Sequence, residues 1–362
     1  MKIALSGYYG FDNAGDEALL SAITSSIKKI EPSAKFVVFS GHPQRTAALH
    51  NIRAVHYMNP LKLLRELRQA DLLISGGGSI FQDVTSARTL PYYISVVALA
   101  RLLGTPVIFY AQGVGPINRS ISKFLMRLVA NHVNLITLRD RDSALFLEEI
   151  GVTRPPLVIT SDPVFSLEPE DADRAAMQKL LKQSVDNHQP GVGVSVRKWT
   201  ALEGYQSELA CLLDDLAERG YRVIFIPMAY PEDLTASRKV MELMRHEALL
   251  IDKHLSSKEH LALIAQLDLM IAMRLHALIF AASRGITFAG ISYDPKVDAF
   301  LKLFALQPLP KSYTEMKNEL NQLLNNQDLQ AKIEQQASEM RRKSEDNARL
   351  ALSLIRRKAI KR

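Results

Sequence analysis

Lys2-Ile3-Ala4-Leu5-Ser6 runs directly into Gly7-Tyr8-Tyr9-Gly10-Phe11-Asp12-Asn13-Ala14-Gly15-Asp16-Glu17, and Ala18–Ile30 then sets Leu19, Ile23 and Ile27 at fourfold spacing. An apolar strand, a glycine turn and a helix with one apolar stripe form the opening of a βαβ unit. The same rhythm continues through strand candidates Phe36–Ser40, Leu72–Ser75, Val107–Ala111, Leu135–Leu138 and Leu157–Thr160. It resumes with Gly191–Val196, Arg222–Pro227, Leu249–Ile251, Leu269–Ala272 and Thr287–Ile291. Short apolar runs alternating with helical stretches predict an α/β chain with parallel sheets. Asp162–Pro190, rich in proline and acidic residues, is the expected hinge. The expected domains are residues 1–165 and 190–310, followed by a helical basic tail, 311–362.

With 362 residues, two domains of about 150 residues each plus an appendage are expected. Charged residues make up 23% and hydrophobic ones 47%, which excludes a wholly disordered chain or a disulfide scaffold. The one cysteine, Cys211, has no internal partner, so a reducing compartment is expected. It falls at an apolar position of Glu208–Leu216 and reads as a core residue. The apolar start is too short for a signal peptide, and Ile94–Leu103 is shorter than the roughly 20 residues of a membrane span. The expected location is the cytoplasm.

The net charge of +7 is concentrated at one end. Residues 341–362 hold nine Lys and Arg against Glu345 and Asp346, so residues 1–340 are neutral. Nucleic-acid binders usually spread basic surface over the fold, and none is expected as a partner. A basic end is compatible with a solvated tail or with peripheral contact to anionic lipid on the inner face of the membrane.

In doubly wound domains ligands bind where strands end. Strand one delivers the glycine turn above, which has neither the Gly-Lys-Ser/Thr of a phosphate loop nor Gly-x-Gly-x-x-Gly. Asp16 and Glu17 at the helix start would repel phosphate, so a neutral, hydroxyl-rich ligand such as a sugar is expected there; helix capping explains the same two acids. Other first-half strands deliver Ser75-Gly76-Gly77-Gly78-Ser79 with Gln82 and Asp83, then Ala111-Gln112-Gly113-Val114-Gly115-Pro116, Leu138-Arg139-Asp140-Arg141-Asp142 and Ser161-Asp162-Pro163. The glycine run suggests either backbone contact with a ligand or a helix packed tightly on the strand.

The second half delivers Arg197-Lys198-Trp199, Met273-Arg274-Leu275-His276 and Ser292-Tyr293-Asp294-Pro295-Lys296. Arg197, Arg274, His276 and Lys296 thus collect at one strand edge. Guanidinium forks suit carboxylate and phosphate, and imidazole exchanges a proton near neutral pH. Trp199 either walls this pocket or serves folding. No histidine pattern for a metal and no Gly-x-Ser-x-Gly elbow is present.

Taken jointly, Gly7-Tyr8-Tyr9-Gly10, Asn13, Gly15-Asp16-Glu17, Ser75–Gly78, Ala111–Pro116 and Arg274-Leu275-His276 resemble the polysaccharide pyruvyltransferase family, with the CsaB-type enzymes of bacterial cell-wall polymer synthesis the nearest in kind. The resemblance spans about residues 1–310. It implies a glycosyltransferase-B-like fold of two Rossmann-like domains facing a cleft. It implies phosphoenolpyruvate as co-substrate, no cofactor, and a lipid-linked saccharide acceptor whose N-acetylmannosamine receives a 4,6-linked pyruvate ketal. That ketal anchors surface-layer proteins. The family's donor-binding motif maps onto Arg197, Arg274, Leu275 and His276, with Lys296 as an auxiliary cation. The acceptor is then expected on Asn13, Glu17, Gly77, Gly78, Asp83 and Gln112.

In the expected mechanism His276 is the general acid and Asp16 the first candidate base, with Glu17 and Asp83 behind it. The enzymatic alternative is a nucleotide-sugar-dependent glycosyltransferase of the same fold. A non-catalytic binder acting through the basic tail is the alternative of another class.

Overall fold

Apolar runs bounded by glycine or polar turns become strands, and the amphipathic stretches between them become crossover helices. The computed structural model describes residues 1–83, 89–184, 189–198 and 204–360. The first part of the chain forms β1 (Lys2–Tyr9), α1 (Ala14–Ile30), β2 (Lys35–Ser40), α2 (Pro43–His50), β3 (Arg53–His56), α3 (Pro60–Arg68), β4 (Leu72–Gly76), α4 (Thr89–Leu102), β5 (Val107–Gln112), α5 (Ser120–Ala130), β6 (Leu135–Leu138), α6 (Arg141–Glu149) and β7 (Leu157–Ile159). The remainder forms α7 (Asp171–Ser184), β8 (Gly191–Ser195), α8 (Tyr205–Glu218), β9 (Arg222–Phe225), α9 (Glu232–Met241), β10 (Leu249–Leu250), α10 (Ser257–Ile264), β11 (Leu269–Ala272), α11 (Leu275–Ser283), β12 (Thr287–Gly290), α12 (Pro295–Leu303), α13 (Tyr313–Asn325) and α14 (Leu329–Ile360).

The first sheet has the order β3-β2-β1-β4-β5-β6-β7 and the second the order β10-β9-β8-β11-β12. Every pairing in them is parallel. Strand order turns back at two junctions. At β1/β4 Ser6 pairs with Ser75, and at β8/β11 Ser195 pairs with Ala272. Loops leaving such a junction part to opposite faces and open a crevice at the carboxyl ends of the strands.

Two compact units result: residues 1–167 together with 340–362, and residues 168–339. The stretch 311–362 therefore does not stand apart as a tail. Helix α13 packs on α8 in the second unit, and α14 joins the first unit from Met340 onward. The reason is its apolar stripe: Ala348, Ala351 and Leu352 bury against Ile3, Leu5, Ile23 and Val38 on the α1 side of the sheet. A buried Leu or Ile there contributes about 1.5–3 kcal/mol. Arg341, Arg342, Lys343, Arg349 and Arg356 lie on this ordered helix, while Lys361 and Arg362 fall outside the described residues. The other face of the sheet is covered by α3, α4, α5 and α6.

Strand β3 escapes the sequence pattern because it is an edge strand with Val55 as its one buried residue. Cys211 is exposed, not core. The buried positions of α8 are its neighbours Ala210, Leu212 and Leu213, which turns Cys211 outward. No helix among the described residues is long and apolar enough to cross a membrane.

One buried side chain fastens α14. Asn347 Oδ1 accepts the hydroxyls of Thr137 (2.6 Å) and Thr160 (2.9 Å), while its Nδ2 donates to the carbonyls of Ser161 (3.3 Å) and Ser344 (3.1 Å). Asn347→Leu leaves both hydroxyls and the Ser161 carbonyl facing an apolar group. The expected loss is about 2–4 kcal/mol, measured by urea unfolding. A midpoint equal to that of the unsubstituted protein would show that the network does not hold the helix.

Candidate functional site

The first unit presents its β1/β4 junction through α1 and the glycine run. Asn13 caps α1, its Oδ1 accepting the N–H of Gly15 (3.0 Å) and Asp16 (3.4 Å). Gly77 (φ +63°) and Gly78 (φ +76°) take the left-handed conformation. A Cβ on Gly77 would meet Leu19 of α1 at 2.9 Å, and one on Gly78 would lie 3.4 Å from Asp16 Oδ1. Of the two explanations for the glycines, the tight helix packing is therefore present. Half-buried Asp16 borders that turn.

Three expected acceptor residues are committed to the framework instead. Glu17 is buried: Oε1 accepts the N–H of Gly10 (2.7 Å) and Oε2 meets His50 Nε2 at 2.6 Å. Asp83 accepts the N–H of Asn118 (2.9 Å) and Arg119 (3.0 Å) at the start of α5. Gln112 is fully buried and donates to the Ser75 carbonyl at 3.0 Å, tying β5 to β4. Arg139 likewise braces the loops, bonding Asp162 (3.0 Å) and Ser79 (2.8 Å).

Sequence reasoning passed over the aromatics of the same turn. Tyr8 is 41% exposed and stacks on Phe11 at 4.3 Å, and Phe11 meets the edge of Tyr57 at 5.6 Å. Two tyrosines and a phenylalanine within a glycine turn after a strand were the available signal.

The second unit presents cations at β8/β11 and β12. Arg197, just past β8, donates to Tyr293 Oη (3.1 Å), and its guanidinium carbon lies 4.9 Å from the ring centroid. Lys296 Nζ lies 5.9 Å from the same ring and 3.1 Å from Asp294 Oδ2. Tyr293 thus gathers Arg197 and Lys296. Its place after β12 carries no signal of this role in the sequence. Leu275 is buried, so its side chain packs in the unit and does not face a ligand. His276 is half-buried in the first turn of α11, and Arg274, the N-cap, places no side-chain bond on that turn. A helix start of this kind favours an anion. Trp199 lies outside the described residues.

The main departure from expectation concerns Arg274. Its Nε and Nη2 form a two-pronged pair with Asp233, at 2.9 and 2.5 Å. Asp233 is 1% exposed and also accepts the N–H of Met228 and Ala229. Burial works against the Arg274 charge, but the Asp233 carboxylate outweighs it and holds the pKa above its ordinary value. Arg274 is therefore largely neutralised and oriented, with Nη1 outside the fork. Asp233 is the second residue of α9, five residues past Met228, and with Glu232 it reads as an ordinary first-turn acid.

A sequence model of the family described as "Polysaccharide pyruvyl transferase" matches residues 13–295. The chain belongs to that family. The matched span of this pyruvyl transferase includes Asn13, Asp16, Gly77, Gly78, Arg197, Arg274 and His276, while β1, Tyr8 and Lys296 fall outside it. A curated relative is the amylovoran biosynthesis protein AmsJ of Erwinia amylovora, 22% identical over 311 residues, covering 80% of this chain and 73% of that protein. The fold is also that of a putative UDP-N-acetylglucosamine 2-epimerase from Listeria monocytogenes (TM-score 0.66, 10% identity, 96% and 94% of the two chains). Anabaena HepE in complex with UDP-glucose is similar too (TM-score 0.63, 14% identity, 100% of each chain). The pyruvyl transferase thus has two Rossmann-like domains of the glycosyltransferase-B-like class and a C-terminal helix.

Two framework carboxylates give measurable outcomes. Burial would raise the pKa of Asp83, but the Asn118 and Arg119 N–H groups outweigh it and hold it below the usual range. A lowered carboxylate stabilises above its unfolded pKa of about 3.9 and loses that contribution as pH falls through the folded value. Asp83→Asn is expected to cost about 1–3 kcal/mol at neutral pH. The difference between the two proteins should close in acid; a gap independent of pH would refute the assignment. Asp233→Ala leaves Arg274 buried and unpaired, so a loss of about 3–5 kcal/mol is expected in urea unfolding. A loss within experimental error would mean that another group orients Arg274.

Proposed function

We propose that this pyruvyl transferase moves the pyruvate of phosphoenolpyruvate onto a sugar diol and releases phosphate. The acceptor would be the N-acetylmannosamine of a lipid-linked cell-wall polymer precursor. The product would be a 4,6-linked ketal, as in CsaB-type enzymes, serving surface-layer attachment from the cytoplasmic face of the membrane. The gathering of Arg197 and Lys296 on Tyr293, beside the open start of α11, carries this reading.

Phosphoenolpyruvate places a carboxylate and a phosphate on a three-carbon frame, so its holder needs several cations within a small volume. Arg197 and Lys296 supply charge gathered on Tyr293, and Arg274 supplies Nη1 in a direction fixed by Asp233. His276 gives a proton to the methylene carbon, which becomes the methyl group as the central carbon turns electrophilic. One sugar hydroxyl adds there and loses its proton. The C–O bond to phosphate then breaks, and the second hydroxyl closes the ketal with loss of its own proton. Donor and diol thus yield ketal and one phosphate, with no redox change. Asp16 is the proposed acceptor of a hydroxyl proton, and Asn13 lies one turn away. Tyr8, backed by Phe11, offers an apolar face to the sugar ring. No cofactor enters this scheme.

The nucleotide-sugar reading keeps one observation in its favour: HepE, of similar fold, is seen with UDP-glucose. An open helix start with arginines would also suit a diphosphate.

The test is incubation with phosphoenolpyruvate and a synthetic lipid-linked N-acetylmannosaminyl-N-acetylglucosamine. The expected product has gained one pyruvate less one water, with one phosphate released per product. His276→Ala should lower turnover by about 10²–10⁴-fold and leave the melting temperature near that of the unsubstituted protein. Stabilisation by UDP-glucose but not by phosphoenolpyruvate, without product, would overturn the reading in favour of the alternative.

A further inference from the structure

Large apolar side chains that remain exposed are unevenly shared between the units. Among the described residues, Leu243 and Leu303 are the only ones in the second unit; the others are in the first. Several cluster on the helices that cover one face of the first sheet, where α3 packs on α4 and α4 on α5.

Helix α5 buries Met126 and Ala130 and turns Ile121, Phe124 and Leu128 outward, exposed by 63, 58 and 49%. Spacings of three and four residues put these on one stripe. Helix α3 behaves alike: Leu63 and Leu67 are buried, while Leu61 (78%) and Leu64 (40%) face out. A helix whose packing need is already met by its buried side has no folding reason for a second apolar stripe.

Charge accompanies the apolar surface. Lys62, Arg65 and Arg68 are exposed on α3, Arg127 is exposed on α5 and Arg119 at its N-cap. Residues 119–132 contain no acid. Glu66, the one acid of α3, is buried and paired with Lys2 (2.6 Å) and Arg53 (2.7 Å). Both helices therefore show cations and hydrocarbon together, the composition that binds an anionic lipid surface. A second copy is a poor occupant, because a two-fold contact would set these cations against their own equivalents.

We propose that the α3–α5 face docks this protein on an anionic bilayer. This deepens the reading of a lipid-linked acceptor, on which its purpose rests. It also moves the membrane contact away from the basic tail, whose ordered part, α14, packs on the opposite face of the sheet.

The test is co-sedimentation of the full chain with phosphatidylcholine vesicles, with and without phosphatidylglycerol. Binding should require phosphatidylglycerol and weaken as salt is added. Phe124→Ser combined with Leu128→Ser should reduce it about ten-fold or more. Lys62→Gln, Arg65→Gln and Arg68→Gln together should also weaken it. Arg342→Gln with Arg356→Gln on α14 should bind like the unsubstituted protein. All three variants change exposed positions, and matching melting temperatures show that folding is intact. Absence of vesicle binding overturns the proposal, as does binding indifferent to the α5 pair or lost with the α14 pair. A dimer that the α5 pair dissociates overturns it in favour of self-association.

Turnover of a water-soluble diol acceptor separates the two readings. Vesicle binding without pyruvate transfer to soluble or lipid-linked acceptor sustains the docking face and sinks the proposed reaction. Transfer to soluble acceptor without vesicle binding does the reverse.

Discussion

A parallel sheet joined by crossover helices has no choice about its edges: every loop that follows a strand lies on the same side. Two such sheets, each with one reversal of strand order, fix where chemistry can be assembled here. At β1/β4 the meeting loops are Gly10–Asn13 and Gly77–Ser79; at β8/β11 they are Val196–Lys198 and Met273–Arg274. The remaining features of each site are ways of holding these loops still. The cost of ordering them is met by bonds into the sheet, such as Gly77 N–H to the Tyr110 carbonyl (2.9 Å) and Gly113 N–H to the Gly78 carbonyl (2.8 Å).

Charges at these edges divide by what they face. Glu17 and Asp83 face backbone N–H groups, and Asp233 faces both N–H groups and a guanidinium. A buried carboxylate satisfied on both oxygens positions its neighbours at the expense of its own reactivity. The Arg274–Asp233 fork is instructive because neutralisation and orientation come together. A lone buried arginine would be costly; a forked one stands in a single direction with one nitrogen left over. A group so fixed needs no rearrangement when charge develops nearby, which is the physical meaning of preorganisation.

The fold was legible because buried parallel strands are continuous apolar runs. Leu72–Gly76, Val107–Gln112 and Leu269–Ala272 could be read with little help from context. Strand β3 was not, since an edge strand with one buried residue carries no such run. Cys211 was misread because a helix buried over a wide arc leaves few outward positions, and a single cysteine does not show which side of that arc it takes. Residue type and strand end placed Asp16, Arg197, His276 and Lys296 at the carboxyl edges of the two sheets, where the structure has them. Partners were not. Asp233 lies 41 residues from Arg274 in the chain, and Tyr293 lies 96 from Arg197. Pairings of that range depend on how crossovers stack, and single-residue chemistry does not encode them. The same blindness assigned Glu17 to a ligand when His50 and the Gly10 N–H had already claimed it.

Shared architecture at 10–14% identity with sugar-nucleotide proteins shows how little of the chemistry the fold itself dictates. What differs is the character of each junction. In the first unit, Asp16 beside the glycine turn adds negative charge to a helix start that would otherwise invite an anion, and the exposed face of Tyr8 adds an apolar surface. In the second unit, α11 begins without a side-chain cap and three cations stand at the same strand edge. Asp16 makes the first junction less favourable to an anion, and the cations make the second more so. The proposed polyhydroxylated acceptor suits the first junction in kind, because a sugar ring can stack on an aromatic face and its hydroxyls can give protons to a carboxylate. The proposed chemistry needs this asymmetry: the base must stay ionised, and it does so more readily when the anion it serves is held by a different set of residues.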